Sequence, residues 1–261
     1  MKTHDYKRFA IEYAGLGIEG TYYLAFRDVP ALLGRHVHGT KALDYGCGSG
    51  RSTRFLKSLG FETTGVDISP DMLDQAQTND KSGEYLLIQS GCLPFDDMSF
   101  DVVFSSFVFI EVQTSEEIVA ILQEMKRVIK LDGHIVIITS PEDCYKGNWV
   151  SFSYDFPENR REVQSGETVK LLIRGTDVVL YDYYWTEKDY SRVFSDVGLG
   201  VTELLRPLGT DDDSVEWLDE RKAGGMLIYM LEREDATADD HVLGKPKKTR
   251  ANKIATREGR Y

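Results

Sequence analysis

Runs of apolar residues alternate with amphipathic segments between residues 41 and 139. The short apolar runs predict β-strands, and the segments between them, whose apolar residues recur every three or four positions, predict helices. The run HIVIITS, which begins at His134, is almost continuously apolar, as is typical of a strand covered on both faces. This alternation predicts a doubly wound α/β fold, a Rossmann-like and mainly parallel seven-stranded sheet with helices on both faces. The predicted strands are residues 41–45, 62–66, 84–89, 100–106, 134–140, 201–205 and 226–231, and the predicted helices are residues 51–59, 69–78, 114–130 and 186–197.

The alternation of strands and helices stops after Pro141. Two β-rich runs in VKLLIRGTDVVLYDYYW are joined at Gly175-Thr176, which predicts a hairpin. We interpret residues 141–185 as a β-hairpin insertion that acts as a substrate lid, and residues 1–38 as a helical N-terminal lid. Residues 1–232 are then a single domain, and residues 233–261 are expected to be a charged, flexible tail.

Charge and composition narrow the classes of function. The chain has a net charge of −12, but its last segment, residues 245–261, carries +6, so the rest of the chain carries −18. An acidic body repels polyanions, which makes nucleic acid an unfavourable partner. The three cysteines are far apart in the sequence, which suggests free thiols in a reducing, cytoplasmic compartment and no metal site. No apolar run approaches the ~20 residues that a membrane helix requires.

Three alternating glycines, Gly46, Gly48 and Gly50, follow the first predicted strand. Glycine lets the backbone turn sharply and leaves room for a ligand where a Cβ would otherwise project. Ligands of open parallel sheets bind at the carboxyl ends of the strands, and Asp67 ends the second strand at that same edge. A carboxylate there can accept hydrogen bonds from both hydroxyls of a ribose. The pattern therefore predicts a cofactor that contains a nucleoside.

The surrounding residues indicate which nucleoside this is. A dinucleotide-binding loop has its third glycine at the position of Arg51 in this chain. Asp44, two residues before the first glycine, would repel a pyrophosphate but attract a cationic amino group. We therefore expect a cofactor with a ribose and an ammonium group, and without a diphosphate.

Four motifs occur in an order that resembles a known family. LDYGCGSG, GVDIS, LPFDDMSFDVVFSS and MKRVIKLDGHIVIIT are similar to the successive motifs of class I S-adenosylmethionine-dependent methyltransferases, of the small-molecule, methyltransferase type 11-like branch. The resemblance is close over residues 40–140. The segment YDYYWTEKDYSRVFSDVGL is loosely similar to the lid region of bacterial toxoflavin-synthase-like enzymes. The resemblance implies S-adenosylmethionine as the cofactor and S-adenosylhomocysteine as the product.

The resemblance also assigns roles to residues. Asp44 would orient the methionine amino group, directly or through water, and the loop Gly46–Gly50 would line the methionine. Asp67 would hold the ribose hydroxyls, and Ile68 would pack on the adenine. Further expected contacts with the cofactor come from Cys47 in the loop, Gln89 and Ser90 at the adenine edge, the Ser105 carbonyl, and Tyr6 and Tyr13 of the N-terminal lid. Residues expected in the substrate pocket are Phe107, which could equally belong to the core, Glu111, Tyr184 and Trp185.

The function implied is methyl transfer to an oxygen, nitrogen or carbon atom of a small-molecule metabolite by in-line displacement. None of the five histidines stands in a convincing base position, so we expect catalysis by proximity and desolvation, with no catalytic residue identified. Two alternatives stay open. One is a non-methylating protein that binds S-adenosylmethionine, either a cyclase or a regulatory module, and the other is a nucleic-acid methyltransferase that uses the basic tail. The sequence leaves the methyl acceptor and the oligomeric state open.

Overall fold

The computed structural model describes residues 17–234, which form a seven-stranded sheet, a second small sheet and six helices. The longest of these helices has 14 residues, and none in the described region is long and apolar enough to cross a bilayer. The helices are α1 (Thr21–Arg27), α2 (Val29–His36), α3 (Arg51–Ser58), α4 (Pro70–Asn79), α5 (Ser115–Val128) and α6 (Glu187–Asp196). The strands are β1 (Lys41–Tyr45), β2 (Glu62–Asp67), β3 (Glu84–Leu87), β4 (Phe100–Ser106), β5 (Ile129–Thr139), β6 (Phe152–Ser153), β7 (Thr168–Ile173), β8 (Val179–Tyr183), β9 (Leu199–Leu205) and β10 (Leu227–Arg233).

The large sheet has the strand order β3-β2-β1-β4-β5-β10-β9 and confirms the predicted fold class. Its first five strands are parallel, and β10 pairs antiparallel with both β5 and β9. The chain order reverses between β1 and β4, because β2 and β3 lie on one side of β1 while β4 and β5 lie on the other. This reversal opens a crevice at the carboxyl ends of β1 and β4, where ligands of such sheets bind.

Both faces of the large sheet are buried, which explains the nearly continuous apolar run of β5. Ile135 and Ile137 belong to one core with α5 and α6, whereas Val136 and Ile138 belong to a second core on the opposite face. Successive side chains of a strand point to opposite faces, so each face needs its own apolar set. All four side chains are fully buried.

The predicted hairpin forms, and it gains a third strand. Strands β7 and β8 pair antiparallel from Thr168 opposite Tyr183, and the short β6 pairs with β7. Alternate side chains of β7 and β8 pack against the second core, together with Trp149. The inserted sheet is therefore anchored to the main domain by its apolar face.

Helices α1 and α2, within the predicted N-terminal lid, are part of the second core. Ala25, Phe26 and Leu32 are buried there. A buried hydrogen bond of 2.6 Å from Thr21 Oγ1 to Glu220 Oε1 ties α1 to the loop before β10. Tyr6 and Tyr13 lie outside the described residues, so their expected contact with the cofactor stays a prediction.

The boundaries differ from the prediction mainly around β5. Helix α5 ends at Val128, and β5 already begins at Ile129, because Ile129 pairs with Phe100 before the register shifts to Val102 opposite His134. The predicted turn at residues 131–133 is therefore an irregularity within the strand. Strand β3 is shorter than predicted and ends at Leu87.

Candidate cofactor and substrate site

The glycine loop after β1 adopts a backbone that other residues rarely adopt. Gly46, Gly48 and Gly50 have φ angles of 70°, 52° and 80°, all in the left-handed region. The N–H groups of Gly46 and Cys47 both donate to the Val66 carbonyl, at 2.8 and 3.0 Å, which fixes the loop to β2. A Cβ on Gly48 would meet nothing within 4 Å, so open space faces this glycine.

Asp67, at the end of β2, holds two backbone segments of the site. Its Oδ2 accepts a hydrogen bond of 2.8 Å from Gly48 N, and its Oδ1 accepts one of 2.9 Å from Ser69 N. Burial raises the pKa of Asp67, and the backbone hydrogen bonds oppose that shift. Each carboxylate oxygen keeps a second lone pair, so the group can also accept from two hydroxyls of a ligand.

Asp44 is a buried carboxylate that is only half satisfied. Its Oδ2 accepts from Ser52 Oγ at 2.7 Å and from Thr53 Oγ1 at 2.6 Å, whereas Oδ1 has no hydrogen-bond partner among the described residues. Burial raises the pKa of Asp44 to about 6, against the opposing effect of the two hydroxyls. An unpaired buried acceptor is costly, so this atom fits a cationic amino group, reached directly or through water.

A first cavity opens at the carboxyl ends of β1 and β4. Both Gly48 and Asp67 line it, and so does the exposed side chain of Ile68. Apolar side chains from β1, α4, α5 and the loop after β4 form most of the remaining wall. Two acidic side chains, Glu111 and Glu117, also line it. The lining residues are Tyr45, Gly46, Gly48, Asp67, Ile68, Met72, Ile88, Ser90, Ser106, Phe107, Val108, Glu111, Val112, Glu117 and Ile121.

A second cavity adjoins the first and shares Phe107 and Glu111 with it. The second cavity lies between the loop after β4 and the inserted sheet, and its walls are mostly aromatic and aliphatic. The buried carboxyl of Asp182 on β8 also lines it. The lining residues are Tyr22, Phe107, Ile110, Glu111, Ser140, Phe152, Tyr154, Leu171, Ile173, Leu180, Asp182 and Met226.

Phe107 stands where the two cavities meet and has a strained backbone. Its φ of 62° is unusual for a residue with a side chain, and its N–H donates to the Ile138 carbonyl at 2.8 Å. Its ring contacts Tyr22 edge-on, with 5.8 Å between centroids. The Arg51 guanidinium lies 4.9 Å from the Tyr22 ring centroid and 5.9 Å from that of Phe107. Arg51, the residue in the position of a third glycine, thus packs on the junction of the cavities by cation–π contacts.

The structure brings seven of the expected site residues together at the first cavity. Those that line it are Gly46, Gly48, Asp67, Ile68, Ser90, Phe107 and Glu111. Their individual roles toward a ligand stay predictions.

Five expected cofactor residues of the described region do not line the first cavity, and the fully buried Asp44 is one of them. Cys47 is buried, its Sγ lies 3.7 Å from the Gly48 carbonyl, and burial raises the pKa of the thiol well above its usual value, so it is an inert packing group. A Cβ on Gly50 would lie 2.6 Å from the Tyr85 hydroxyl, so this glycine permits close packing. Gln89 is exposed, and it is the flanking Ile88 and Ser90 that line the cavity. The Ser105 side chain is fully buried, and that of the next residue, Ser106, lines the cavity. The expected contact of the Ser105 carbonyl with the cofactor stays a prediction.

Two expected substrate residues lie away from both cavities. Trp185 is buried in the first core and donates from Nε1 to the Val112 carbonyl at 3.0 Å. Tyr184 packs against Tyr145, with 5.3 Å between ring centroids. Neither side chain lines a cavity in the described structure, and their expected contact with the substrate stays a prediction.

Sequence reasoning missed the most unusual residue of the second cavity, Asp182. The burial of β8 alternates, and Leu180 and Asp182 share its buried face. An acidic residue at an alternate position that otherwise carries apolar residues is the signal that could have identified Asp182. Such a position is unusual because buried acidic residues are rare unless they are paired.

Comparison with known proteins identifies a domain within the chain. Residues 43–137, which include the glycine loop and Asp67, match the family model "Methyltransferase domain". Over residues 43–137 this chain carries a methyltransferase domain. The match agrees with the predicted resemblance over that stretch.

Curated relatives are similar to part of this chain. The malonyl-[acyl-carrier protein] O-methyltransferase of Salmonella typhimurium is 34% identical over 168 residues, which cover 62% of this chain and 65% of the relative. The demethylmenaquinone methyltransferase of Thermotoga maritima is 36% identical over 104 residues, 39% of this chain and 44% of the relative. The chain thus spans about half the length of these curated relatives.

Solved structures extend the likeness of fold over most of the chain. An S-adenosylmethionine-dependent methyltransferase from Clostridium acetobutylicum has a TM-score of 0.59 at 15% identity and covers 87% of this chain and 98% of its own. The CcbJ methyltransferase from Streptomyces caelestis has a TM-score of 0.59 at 16% identity and covers 80% of this chain and 95% of its own. At such identities the likeness shows the fold alone.

Proposed function

We propose that the protein transfers a methyl group from S-adenosylmethionine to an oxygen, nitrogen or carbon atom of a small-molecule metabolite. The observation that carries this proposal is the pair of cavities that meet at Phe107 and Glu111. The first contains Gly46, Gly48 and Asp67, and the second has aromatic and aliphatic walls that suit one end of a small organic molecule. The relatives, named for a malonyl group and for demethylmenaquinone, support an organic methyl acceptor.

The residues of the first cavity, together with the buried Asp44 of β1, fit the predicted cofactor. Asp67 would accept from the ribose hydroxyls, Asp44 would neutralise the amino group, and Ile68 would pack on the adenine. The unpartnered Oδ1 of Asp44 and the open space at Gly48 support this assignment. When bound, the cofactor supplies a methyl carbon activated by the adjacent sulfonium.

The protein's own residues would act by positioning and by excluding water. His36, His38 and His134, the histidines of the described region, line neither cavity. The strained Phe107 and its edge-on partner Tyr22 form an apolar junction, which favours a dry reaction site. Alignment of two reactants in such a site supplies much of the rate gain of a bimolecular displacement.

The charge of the cavities favours a small-molecule acceptor over nucleic acid. The described lining of both cavities includes acidic side chains such as Asp67, Glu111 and Asp182, and neither lysine nor arginine. A phosphodiester backbone needs cationic partners and would be repelled by these carboxyl groups.

The test is to incubate the purified protein with methyl-tritiated S-adenosylmethionine and a metabolite extract, RNA or a protein extract in separate reactions. We expect label in the metabolite fraction together with S-adenosylhomocysteine. Asp67→Ala should abolish this transfer, whereas Asp74→Ala, which removes an exposed carboxylate from the following helix, should not.

Two outcomes would contradict the proposal. Label confined to RNA, and lost on deletion of residues 245–261, would indicate a nucleic-acid methyltransferase that uses the basic tail. Binding of S-adenosylmethionine without any formation of S-adenosylhomocysteine, with every acceptor fraction, would indicate a non-methylating protein.

A further inference from the structure

The second cavity contains one deeply buried carboxyl group, on Asp182. The residue lies on β8, is 3% exposed and lines the cavity on the same face as Leu180. Tyr154 Oη donates to its Oδ2 at 2.8 Å. No hydrogen bond to Oδ1 is formed by the residues that the structure describes, so this oxygen is available to a ligand in the cavity.

The walls around this carboxyl are a continuous series of aromatic rings. Phe107 contacts Tyr22, Tyr22 contacts Phe152, and Phe152 contacts Tyr154, with centroid separations of 5.8, 6.0 and 5.6 Å. Aromatic rings and carboxylates both attract cations, the first through the negative face of the ring. The described lining of this cavity includes no lysine, arginine or histidine. The Arg51 guanidinium packs on the Tyr22 and Phe107 rings at the junction without lining the cavity, which leaves the rings of Phe152 and Tyr154 for a bound cation.

The electrostatics of the cavity also favour a cation. Burial, and then the negative charge of Glu111, raise the pKa of Asp182 to about 8, against the hydrogen bond from Tyr154. The ligand-free carboxyl is therefore mostly protonated at pH 7, and a bound cation would restore its charged form. The titratable groups that face Asp182 are acidic or neutral ones on neighbouring segments: Glu111, Cys144, Tyr145, Tyr154 and Tyr190.

The size of the cavity limits what enters it. Its volume of about 30 Å³ holds roughly two water molecules. An aminomethyl group, with two non-hydrogen atoms, matches this volume, whereas a whole metabolite does not. The rest of such a molecule must lie outside, at the junction with the first cavity, where Phe107 and Glu111 line both spaces.

We propose that the second cavity binds a protonated amine of the methyl acceptor, with Asp182 as the carboxylate that receives its N–H groups and the aromatic rings as its walls. This inference rests on the proposed function and specifies its substrate as an amine-bearing molecule. Asp182 is here a recognition and positioning residue. Glu111, at the junction, adds a second negative charge.

The test is calorimetric titration of the full chain, saturated with S-adenosylhomocysteine, with the matched probes benzylamine and benzyl alcohol at pH 7. We expect benzylamine to bind at least tenfold more tightly than benzyl alcohol. Binding of benzylamine should release close to one proton, measured in two buffers of different ionisation enthalpy, because Asp182 changes from its protonated to its ionised form.

Three variants separate recognition from folding. Asp182→Asn should abolish both the amine preference and the proton release. Asp177→Asn, which removes a carboxylate from the exposed turn of the same hairpin, should retain both. Tyr154→Phe keeps the ring, removes the hydrogen bond to Asp182 and should weaken benzylamine severalfold without changing benzyl alcohol; it carries the test if Asp182→Asn fails to fold.

The results distinguish this inference from the proposed function. Normal binding of S-adenosylhomocysteine combined with equal affinities for the two probes would overturn the amine site and leave the methyltransferase proposal standing. The same holds if the preference persists unchanged in Asp182→Asn or, should that variant not fold, in Tyr154→Phe. Failure of the wild-type protein to bind S-adenosylhomocysteine would overturn both.

Discussion

Asp44 should make the binding of the cofactor depend on pH. Its pKa in the ligand-free protein is about 6, because burial disfavours the charged carboxylate more than the Ser52 and Thr53 hydroxyls favour it. A cationic amino group needs the ionised form of Asp44 and stabilises it. Affinity for an ammonium-bearing ligand is therefore highest well above pH 6, where Asp44 is ionised, and decreases as the pH falls through 6.

The size of the effect follows from the ionised fraction of Asp44. With a pKa of about 6, roughly a tenth of the molecules carry an ionised Asp44 at pH 5, against nearly all at pH 7.5. The Kd of S-adenosylhomocysteine should then rise about tenfold between pH 7.5 and pH 5, which corresponds to roughly 1.4 kcal/mol. Protonation of Asp67, whose pKa burial also raises, would add to the change, so a second ligand is needed to separate the two.

The assay is calorimetric titration at both pH values with S-adenosylhomocysteine and with 5′-methylthioadenosine, which keeps the ribose and adenine but has no amino group. The loss of affinity between pH 7.5 and pH 5 should be larger for S-adenosylhomocysteine than for 5′-methylthioadenosine. The difference between the two losses measures the effect of protonating Asp44. This excess should vanish in Asp44→Asn, whose side chain does not titrate. Parallel changes for the two ligands, or an excess that survives in Asp44→Asn, would refute the assignment of Asp44 to the amino group.

Three further predictions follow from the described contacts. Asp67→Ala should weaken S-adenosylhomocysteine roughly 100-fold in calorimetry, since two hydrogen bonds to a charged acceptor contribute about 1.5 kcal/mol or more each; a loss no larger than that of Asp74→Ala would reject the ribose assignment. Gly46→Ala should lower the free energy of unfolding in urea by about 1–3 kcal/mol, because its Cβ would lie 2.2 Å from Val108 Cγ2 at a left-handed φ, and unchanged stability would contradict that packing. The pKa of Asp182, about 8 when folded, lies above its value of 3.8 when unfolded, so its protonation should raise the free energy of unfolding by roughly 2–3 kcal/mol as the pH falls from 9 to 6. Asp182→Asn should lack this rise, and an identical pH profile in both proteins would show that the carboxyl is not desolvated.

The alternating pattern was enough to predict the main sheet, because its strands are buried on both faces and its helices on one. Gly46, Gly48 and Asp67 could be placed at one edge because the carboxyl ends of neighbouring parallel strands meet there. The turn predicted around Gly133 became part of β5, since the pairing of Ile129 with Phe100 outweighs the local turn preference.

The second cavity could not be predicted, because it depends on contacts between residues that are distant in the sequence. Tyr22 comes from the N-terminal helices, Phe107 from the loop after β4, and Phe152 and Asp182 from the inserted sheet. No local period links these residues. Trp185 lies near the expected pocket in the sequence, and its side chain packs in the core and donates to the Val112 carbonyl.

A crystal structure of the protein with S-adenosylhomocysteine tests the central claim most directly. We predict that the nucleoside occupies the first cavity, with both ribose hydroxyls on the Asp67 carboxylate and the amino group linked to Asp44 Oδ1, directly or through one water molecule. Density for the ligand elsewhere, or a ribose without contact to Asp67 in a fully occupied site, would contradict the cofactor assignment and the proposed methyl transfer that depends on it.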